Sequence, residues 1–407
     1  MNVTRFGVPF SCAAIAVLMV SVGAQTRGTE SLDLRQELRL VRTLDTPLDK
    51  YSHVYFDANG RNVIVANIGE NQFRDPKTLE LERNIKACGG SDFGSSVREG
   101  FNRLMTAGCV KSGITEVWSI PTSQMVRKFE IAVQRELWRF DTVISILSPD
   151  ERRVAIYDPH SEPTELWDIE AGKRIATLTP TLNRTGARDA DAALFSPDSR
   201  ILAVSVNGSI YLWDAETGKM LFRLSDGNAR DSANNGFSSH RHIVYALLYS
   251  HDSKFLFTGS LDREVKQWEV ATGKLVRTFS GHSDRIETMS LSPDGRLLAT
   301  GSRDKKLKLW DLRTGRLMWT SPSHSSRVWQ IYFGPDGSRI LTMTGSSGNI
   351  GSENETRMWD TATGQLLGRM PSKWQQSSFS PDWRYFVTVG KKKNTIELYR
   401  FGEKVIL

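Results

Sequence analysis

Trp310-Asp-Leu-Arg-Thr-Gly-Arg316 ends a β-rich run and then turns sharply, and the chain says nearly the same thing four more times. The near copies are Trp167-Asp-Ile-Glu-Ala-Gly-Lys173, Trp213-Asp-Ala-Glu-Thr-Gly-Lys219, Trp268-Glu-Val-Ala-Thr-Gly-Lys274 and Trp359-Asp-Thr-Ala-Thr-Gly-Gln365. Two worn copies flank them, Trp118-Ser-Ile-Pro-Thr-Ser-Gln124 and Tyr399-Arg-Phe-Gly-Glu-Lys404. The aromatic marker recurs at intervals of 49, 46, 55, 42, 49 and 40 residues. A period of that length means one supersecondary unit copied many times.

A second phrase keeps step with the first. Asp57-Ala-Asn-Gly60, Ser148-Pro-Asp-Glu151, Ser196-Pro-Asp-Ser199, Ser250-His-Asp-Ser253, Ser292-Pro-Asp-Gly295, Gly334-Pro-Asp-Gly337 and Ser380-Pro-Asp-Trp383 also make seven. Pro presets the first turn position and Asp or Gly accepts the next, so each reads as a β-turn. Apolar-alternating runs such as IETMSL before the phrase at 292 and RLLATGS after it have the period of half-buried strands. With LKLW, the T-G turn and LMWTS added, each unit is a meander of four short strands. Gly in the T-G step supplies the positive φ that a hairpin of this kind needs.

Four-stranded units marked by Trp-Asp resemble the WD-repeat family, from about residue 38 to residue 407. The resemblance implies an all-β fold, a seven-bladed β-propeller of four-stranded antiparallel blades, because seven markers are present. LRLVRTLD at 38–45 mirrors LVRTFSGH at 275–282, which is a fourth strand, so the N-terminal segment is expected to complete the last blade. The chain's ending, GEKVIL, is the other candidate for that strand, and an eighth, incomplete blade is the remaining alternative.

The family's blades carry a hydrogen-bonded set of His, Ser or Thr, Asp and Trp. Two blades match it: His240, Thr258, Asp262 and Trp268, then His282, Thr300, Asp304 and Trp310. In such a chain the Asp accepts from the imidazole and the hydroxyl bridges to the indole N–H, so buried polar groups are satisfied. The blade ending at Trp359 keeps His324 and Thr342 but has Glu353 where Asp is expected, and that ending at Trp213 has Asn207-Gly208 in its place. His, Asp and a hydroxyl also compose a hydrolase triad. Recurrence in the same register of two blades favours the structural role.

Residues 1–24 join Arg5 to an uncharged apolar stretch and the small residues Val22-Gly-Ala24, the pattern of a signal peptide cleaved before Gln25. An uncleaved anchor is the rival, although the apolar core falls short of the ~20 residues that span a bilayer. The expected division is signal peptide 1–24, linker 25–37 and propeller 38–407, with an extracytoplasmic, periplasmic or secreted, location. Export leaves Cys88 and Cys109, both within the segment 69–114, as a candidate disulfide; two unpaired thiols are the alternative.

The net charge of +7 becomes +6 without Arg5, a mild basic balance. Lys391-Lys392-Lys393 reads as a solvated charge run, and no basic–aromatic alternation of the kind that stacks nucleic-acid bases occurs. In a meander, the second-to-third gaps and the blade-to-blade links share one face. Segments 69–114 and 345–356 are read as such gaps, and 179–190 and 225–240 as such links, so the long loops gather on one face, where binding is usually carried. Segment 69–114 reads as a partly helical insertion, one helix opened by Asp75-Pro76 and another by Ser95 or Ser96, with Phe101, Leu104 and Met105 turned inward. Asn183 and Asn354 head glycosylation sequons on the same face.

The sequence thus points to a monomeric, exported, non-enzymatic scaffold that binds a protein or peptide on its loop-rich face. It calls for no cofactor, metal, nucleic acid or membrane span after cleavage. The alternative is a pyrroloquinoline-quinone-type propeller enzyme, or another propeller hydrolase or cofactor binder. Asp311-Leu-Arg-Thr-Gly-Arg-Leu-Met-Trp319 resembles the docking phrase of the quinone propellers once, whereas other copies have Phe222, Thr278 or Leu367-type residues nearby. No Gly-x-Ser-x-Gly nucleophile elbow is present.

Overall fold

The computed structural model describes residues 32–33, 38–46, 48, 53–56, 60–67, 70–86, 95–96, 103–107, 114–119, 121–130, 144–158, 161–179, 190–206, 208–226, 230–231, 236–237, 239–240, 242–345, 355–371, 377–380, 382–389 and 394–401. The chain divides into residues 1–31, outside that set, and a unit Leu32–Leu407. The alternating runs of this unit pair as antiparallel ladders, and its described residues contain no helix.

Among the described residues there are seven four-stranded blade sheets and one of five strands, eight blades in all and one more than either phrase counts. We number them as blades. Blade 1 is His53–Phe56, Val63–Asn67, Glu70–Arg74 and Leu81–Ile85; blade 2 is Ser95–Ser96, Arg103–Ala107, Ile114–Ser119 and Gln124–Glu130. Blades 3 to 7 occupy residues 144–178, 190–224, 244–279, 286–320 and 328–371. Blade 8 is Ser377–Phe379, Tyr385–Val389 and Thr395–Phe401, completed by Leu38–Asp45 running antiparallel to the last of these. The N-terminal segment therefore supplies the closing strand. Just before it, Leu32–Asp33 adds in parallel to the outer edge of blade 7, within the stretch expected to be linker.

The ring closes through shared cores. Seven apolar clusters each draw on two successive blades: 2 and 3, 3 and 4, 4 and 5, 5 and 6, 6 and 7, 7 and 8, and 8 and 1. Between blades 1 and 2, Arg83 donates to the Pro121 carbonyl at 3.3 Å.

Where a partly helical insertion is expected at 69–114, the described residues hold no helix; they form the last two strands of blade 1 and the first two of blade 2. Each phrase counts seven because blade 1 has lost one marker and blade 2 the other. In blade 1, Asp75 Oδ1 accepts from the Lys77 and Thr78 N–H groups, as Asp214 does from Glu216 and Thr217. That register puts Arg74 at the tryptophan position. Leu79, with φ 58°, takes the place of Gly218, with φ 68°. Blade 2 keeps Trp118 but has no Ser-Pro-Asp phrase between its first two strands. Asp75-Pro76 opens a turn, Leu104 and Met105 lie on a strand, and Phe101 is outside the described residues.

In blades 1 to 6 one side chain, four residues beyond the left-handed residue of the last turn, reaches onto the next blade's matching turn. Arg127 Nε donates to Ile169 O at 2.9 Å and its terminal nitrogen to Glu170 O; Arg277 donates to Leu312 O at 2.8 Å and Trp319 Nε1 to Thr361 O at 2.9 Å. Phe222 occupies the same position against Gly273, and Ala176 against Gly218. The glycine that receives the side chain thus serves both φ and space.

Polar braces inside the blades fall into two kinds. In blades 5 and 6 the indole N–H of Trp268 or Trp310 donates to Thr258 or Thr300, at 2.9 and 3.0 Å. That hydroxyl meets Nε2 of His240 or His282 at 2.7 and 2.8 Å, and Nδ1 meets Asp262 or Asp304 at 2.8 Å in both. Burial works to raise the Asp304 carboxyl, but the His282 hydrogen bond and charge, with the Ser283 and Lys306 N–H groups, hold it below the ordinary carboxylate value. In blade 7, Trp359, Thr342 and His324 repeat the chain, and His324 Nδ1 donates to the Lys305 carbonyl at 2.9 Å. No carboxylate takes that place; Glu353 lies outside the described residues.

In blades 2, 3 and 8 the donor instead meets a carboxylate two residues back on its own strand. Trp118 donates to Glu116 at 3.1 Å, Trp167 to Glu165 at 3.0 Å and Tyr399 to Glu397 at 2.5 Å. Arg74 of blade 1 does likewise with Gln72. Blade 4 has Val204, paired with Tyr211, where blades 5 to 7 have threonine, and the buried Trp213 Nε1 has no partner among the described residues.

Two outcomes follow from this packing. A Cβ on Gly364 would meet Trp319 Cδ2 at 2.6 Å, whereas one on Gly172 would meet only the Arg127 side chain at 3.4 Å, with similar φ of 70° and 63°. Gly364→Ala should therefore lower stability by roughly 1–3 kcal/mol more than Gly172→Ala in denaturant titrations, since overpacking adds to the shared backbone strain; equal losses would refute the docking role. Burial first, then the Arg357 charge, pushes His324 down to about 4. Below about pH 6.5 the unfolded chain then binds a proton the folded one refuses, so stability falls between pH 6.5 and about 4, by on the order of 3 kcal/mol, and levels below. Comparison of wild type with His324→Gln at pH 7 and pH 5 should show a shallower loss in the variant; parallel losses would count against it.

Candidate interaction surface

Strand direction sorts the connections. The blade-to-blade links and second-to-third gaps leave one face, and the two kinds of tight turn leave the other. Residues 131–143, 179–189 and 225–243 are links between blades and 345–354 is a gap, so the long connections share the first face. Segment 69–114 is no longer one of them, having been absorbed into blades 1 and 2.

Below those loops the inner strands of blades 5, 6 and 7 begin alike. Val244, Ile286 and Val328 are buried and pair with Ser260, Ser302 and Thr344. The register then slips by one, leaving Tyr245, Glu287 and Trp329 unpaired at a β-bulge. A bulge bends the strand and re-aims a side chain, and it recurs at barrel rims for that reason. The residues just before, Ile243, Arg285 and Arg327, accept at their carbonyls from the Leu261, Arg303 and Gly345 N–H groups at 2.9, 3.0 and 3.3 Å. Ser260 Oγ also donates to Ile243 O at 2.8 Å, and Ser302 Oγ to Asp284 O at 2.9 Å. Six side chains therefore stand on a backbone held from beneath.

Their chemistry is mixed. Ile243 and Tyr245 are exposed, at 37% and 39%. The Arg285 guanidinium lies 4.5 Å from the Tyr245 ring centroid, within cation–π range. Glu287 Oε1 accepts from Arg285 Nε at 2.8 Å and from Arg327 at 3.2 Å, and Arg327 Nε donates to Gly345 O at 2.9 Å. Burial alone would lower Arg285; Glu287 and Tyr245 outweigh it and raise the guanidinium above the ordinary arginine value.

The expected site residues lie elsewhere. His240, His282 and His324 are buried inside the blades, below this rim. Asp311 and Thr314 of the quinone-like phrase build a turn, with the Thr314 N–H and hydroxyl both on Asp311 Oδ1, and Trp319 packs on blade 7. Cys88, Cys109, Asn183, Asn354 and Lys391-Lys392-Lys393 fall outside the described residues. Among the described residues no group of three or more His, Cys, Asp or Glu could hold a metal ion, and no helix is long and apolar enough to cross a membrane. The rim escaped the period-of-two reading because a bulge breaks it. Its trace is an apolar spacing of three then two, as in Ile286, Met289 and Leu291.

Comparison with known proteins points the same way as the blades. The family model described as "WD domain, G-beta repeat" matches residues 178–214, 233–269 and 273–311. WD repeat-containing protein 1 of Gallus gallus is 34% identical over 86 residues, 21% of this chain and 12% of that protein. WD repeat-containing protein 82 of Drosophila melanogaster is 30% identical over 135 residues, 31% of this chain and 39% of that one. Small ribosomal subunit protein RACK1 of Caenorhabditis elegans is 30% identical over 106 residues, 26% of this chain and 30% of that one. The chain spans less than half the length of each of these relatives. Among solved structures, the computationally designed Ika8 protein aligns with a TM-score of 0.64 at 19% identity, over 89% of this chain and 100% of its own. The fold is a β-propeller, and three stretches between residues 178 and 311 match the WD-repeat model.

Proposed function

We propose that this chain is an exported, non-enzymatic propeller scaffold that captures a protein or peptide on its loop-bearing face, with the rim of blades 5 to 7 as the docking row. The carrying observation is the repeated bulge that holds Tyr245, Glu287 and Trp329 at equivalent places on three neighbouring blades. Rigid aromatic and arginine side chains on a braced backbone are the residue types that dominate binding energy at interfaces. The relatives named for WD repeats support a binding role, and the N-terminal pattern at 1–24 supports export. The His–Thr–Asp sets suit bracing better than catalysis, since their imidazoles are buried and hydrogen-bonded at both nitrogens. The Trp319 phrase acts likewise as one instance of a clamp that Arg127 and Arg277 provide in other blades.

Export predicts a mature protein beginning at Gln25 and, with Cys88 and Cys109 oxidised, a mass gain on reduction. The binding role predicts that Tyr245→Ala combined with Trp329→Ala lowers recovery of a partner from an extracytoplasmic extract by about tenfold or more, as hot-spot truncations do, in a variant that still unfolds cooperatively. Undiminished recovery by that variant would overturn the docking row.

A further inference from the structure

Among the described residues, the part of the rim over blades 6 and 7 carries more cationic N–H donors than acceptors. Arg285 and Arg327 share the single Glu287 carboxylate. Beside them, the second-to-third turn of blade 6 presents Arg303, Lys305 and Lys306, and the Arg303 N–H is on the Arg285 carbonyl at 3.0 Å. None of these three forms a salt bridge with a described residue, and Arg303 and Lys305 are exposed. The nearby described carboxylates are committed elsewhere. Asp304 is held by His282, Glu355 by Arg357 and the Ser325 N–H, and Asp284 Oδ1 by the Arg285 N–H. Trp329, in the bulge row, has its Nε1 buried without a hydrogen-bond partner among the described residues.

We infer that this part of the rim takes an acidic peptide segment, whose carboxylates meet Arg285, Arg303, Lys306 and Arg327. This rests on the docking row proposed above and names the chemistry of its occupant. The guanidiniums are pre-positioned by Tyr245, Glu287 and Gly345, so little side-chain freedom is lost when a carboxylate arrives. A forked guanidinium also matches a carboxylate geometrically.

The test uses the full chain and a fluorescein-labelled hexaglutamate peptide read by anisotropy, with hexalysine and inorganic phosphate as comparison probes. Hexaglutamate should bind saturably, about tenfold or more tighter than hexalysine, and more weakly as salt rises. Phosphate at millimolar concentration should not displace it. Arg285→Gln with Arg327→Gln should weaken binding about tenfold or more. Arg303→Gln, an exposed position, should weaken it about two- to fivefold while leaving the denaturation midpoint unchanged. Equal binding of the two peptides, displacement by phosphate, or wild-type affinity in both variants would overturn the inference. If Tyr245→Ala with Trp329→Ala loses its partner while hexaglutamate fails to bind, only the acidic reading falls. If hexaglutamate binds as expected and partner recovery ignores the rim, the docking proposal falls.

Discussion

In six of the eight blades a side chain four residues past the left-handed residue of the last tight turn reaches onto the matching turn of the next blade, and the ring depends on that contact. Arg83, Arg127, Ala176, Phe222, Arg277 and Trp319 all occupy this position, and four of them donate to a backbone carbonyl. The apolar clusters shared by neighbouring blades supply most of the stabilisation, with roughly 1.5–3 kcal/mol for each large side chain fully buried. Burial of that kind is indifferent to small slips between sheets. A guanidinium or indole N–H aimed at one fixed carbonyl is not, so it sets how far each blade is rotated against the next. Blade 7 shows the rule by exception: its residue at this position is Gly368, and Leu32 pairs alongside it as an added parallel strand.

The architecture was legible because its turns are chemical. An acidic residue followed four places on by one with positive φ leaves Asp-x-x-Thr-Gly in blades 4, 6 and 7 and a one-residue variant of it in blades 1, 3 and 5. What misled was the same chemistry under other residue names. Arg74 replaces tryptophan and finds its acceptor in Gln72, so the blade interior is served while the marker vanishes. Leu79 replaces glycine and accepts a φ of 58° because its side chain is fully buried in the core that blades 8 and 1 share. Asp75-Pro76 reads as a helix start because an N-cap and this turn use one device, an Asp oxygen on N–H groups two and three residues on. Local sequence cannot separate them; pairing of Leu81–Ile85 with the preceding strand does.

The braced residues were legible for a related reason: His, Thr, Asp and Trp must recur at fixed separations if each is to reach the next. The rim was not. A bulge is one residue of slip between partners far apart in sequence, and it appears locally only as a disturbed alternation. Nor does sequence show that a carboxylate such as Glu287 is shared by two arginines, since Arg327 comes from the following blade.

Braces and rim are nonetheless one device. The full His–Thr–Asp–Trp chains lie in blades 5 and 6, and blade 7 keeps three members of the set. Asp304 takes both the His282 ring and the Ser283 N–H, and so pins the incoming link two residues before Arg285. His324 on the Lys305 carbonyl does the same for the link that leads to Arg327, tying it to the turn that carries Arg303. In blades 2, 3 and 8 the acceptor sits on the same strand as the donor and ties down no link. A buried polar chain is worth its desolvation where it fixes something that apolar packing leaves loose. Here it fixes the entry to the inner strands, and the side chains it holds in place are those the rim presents.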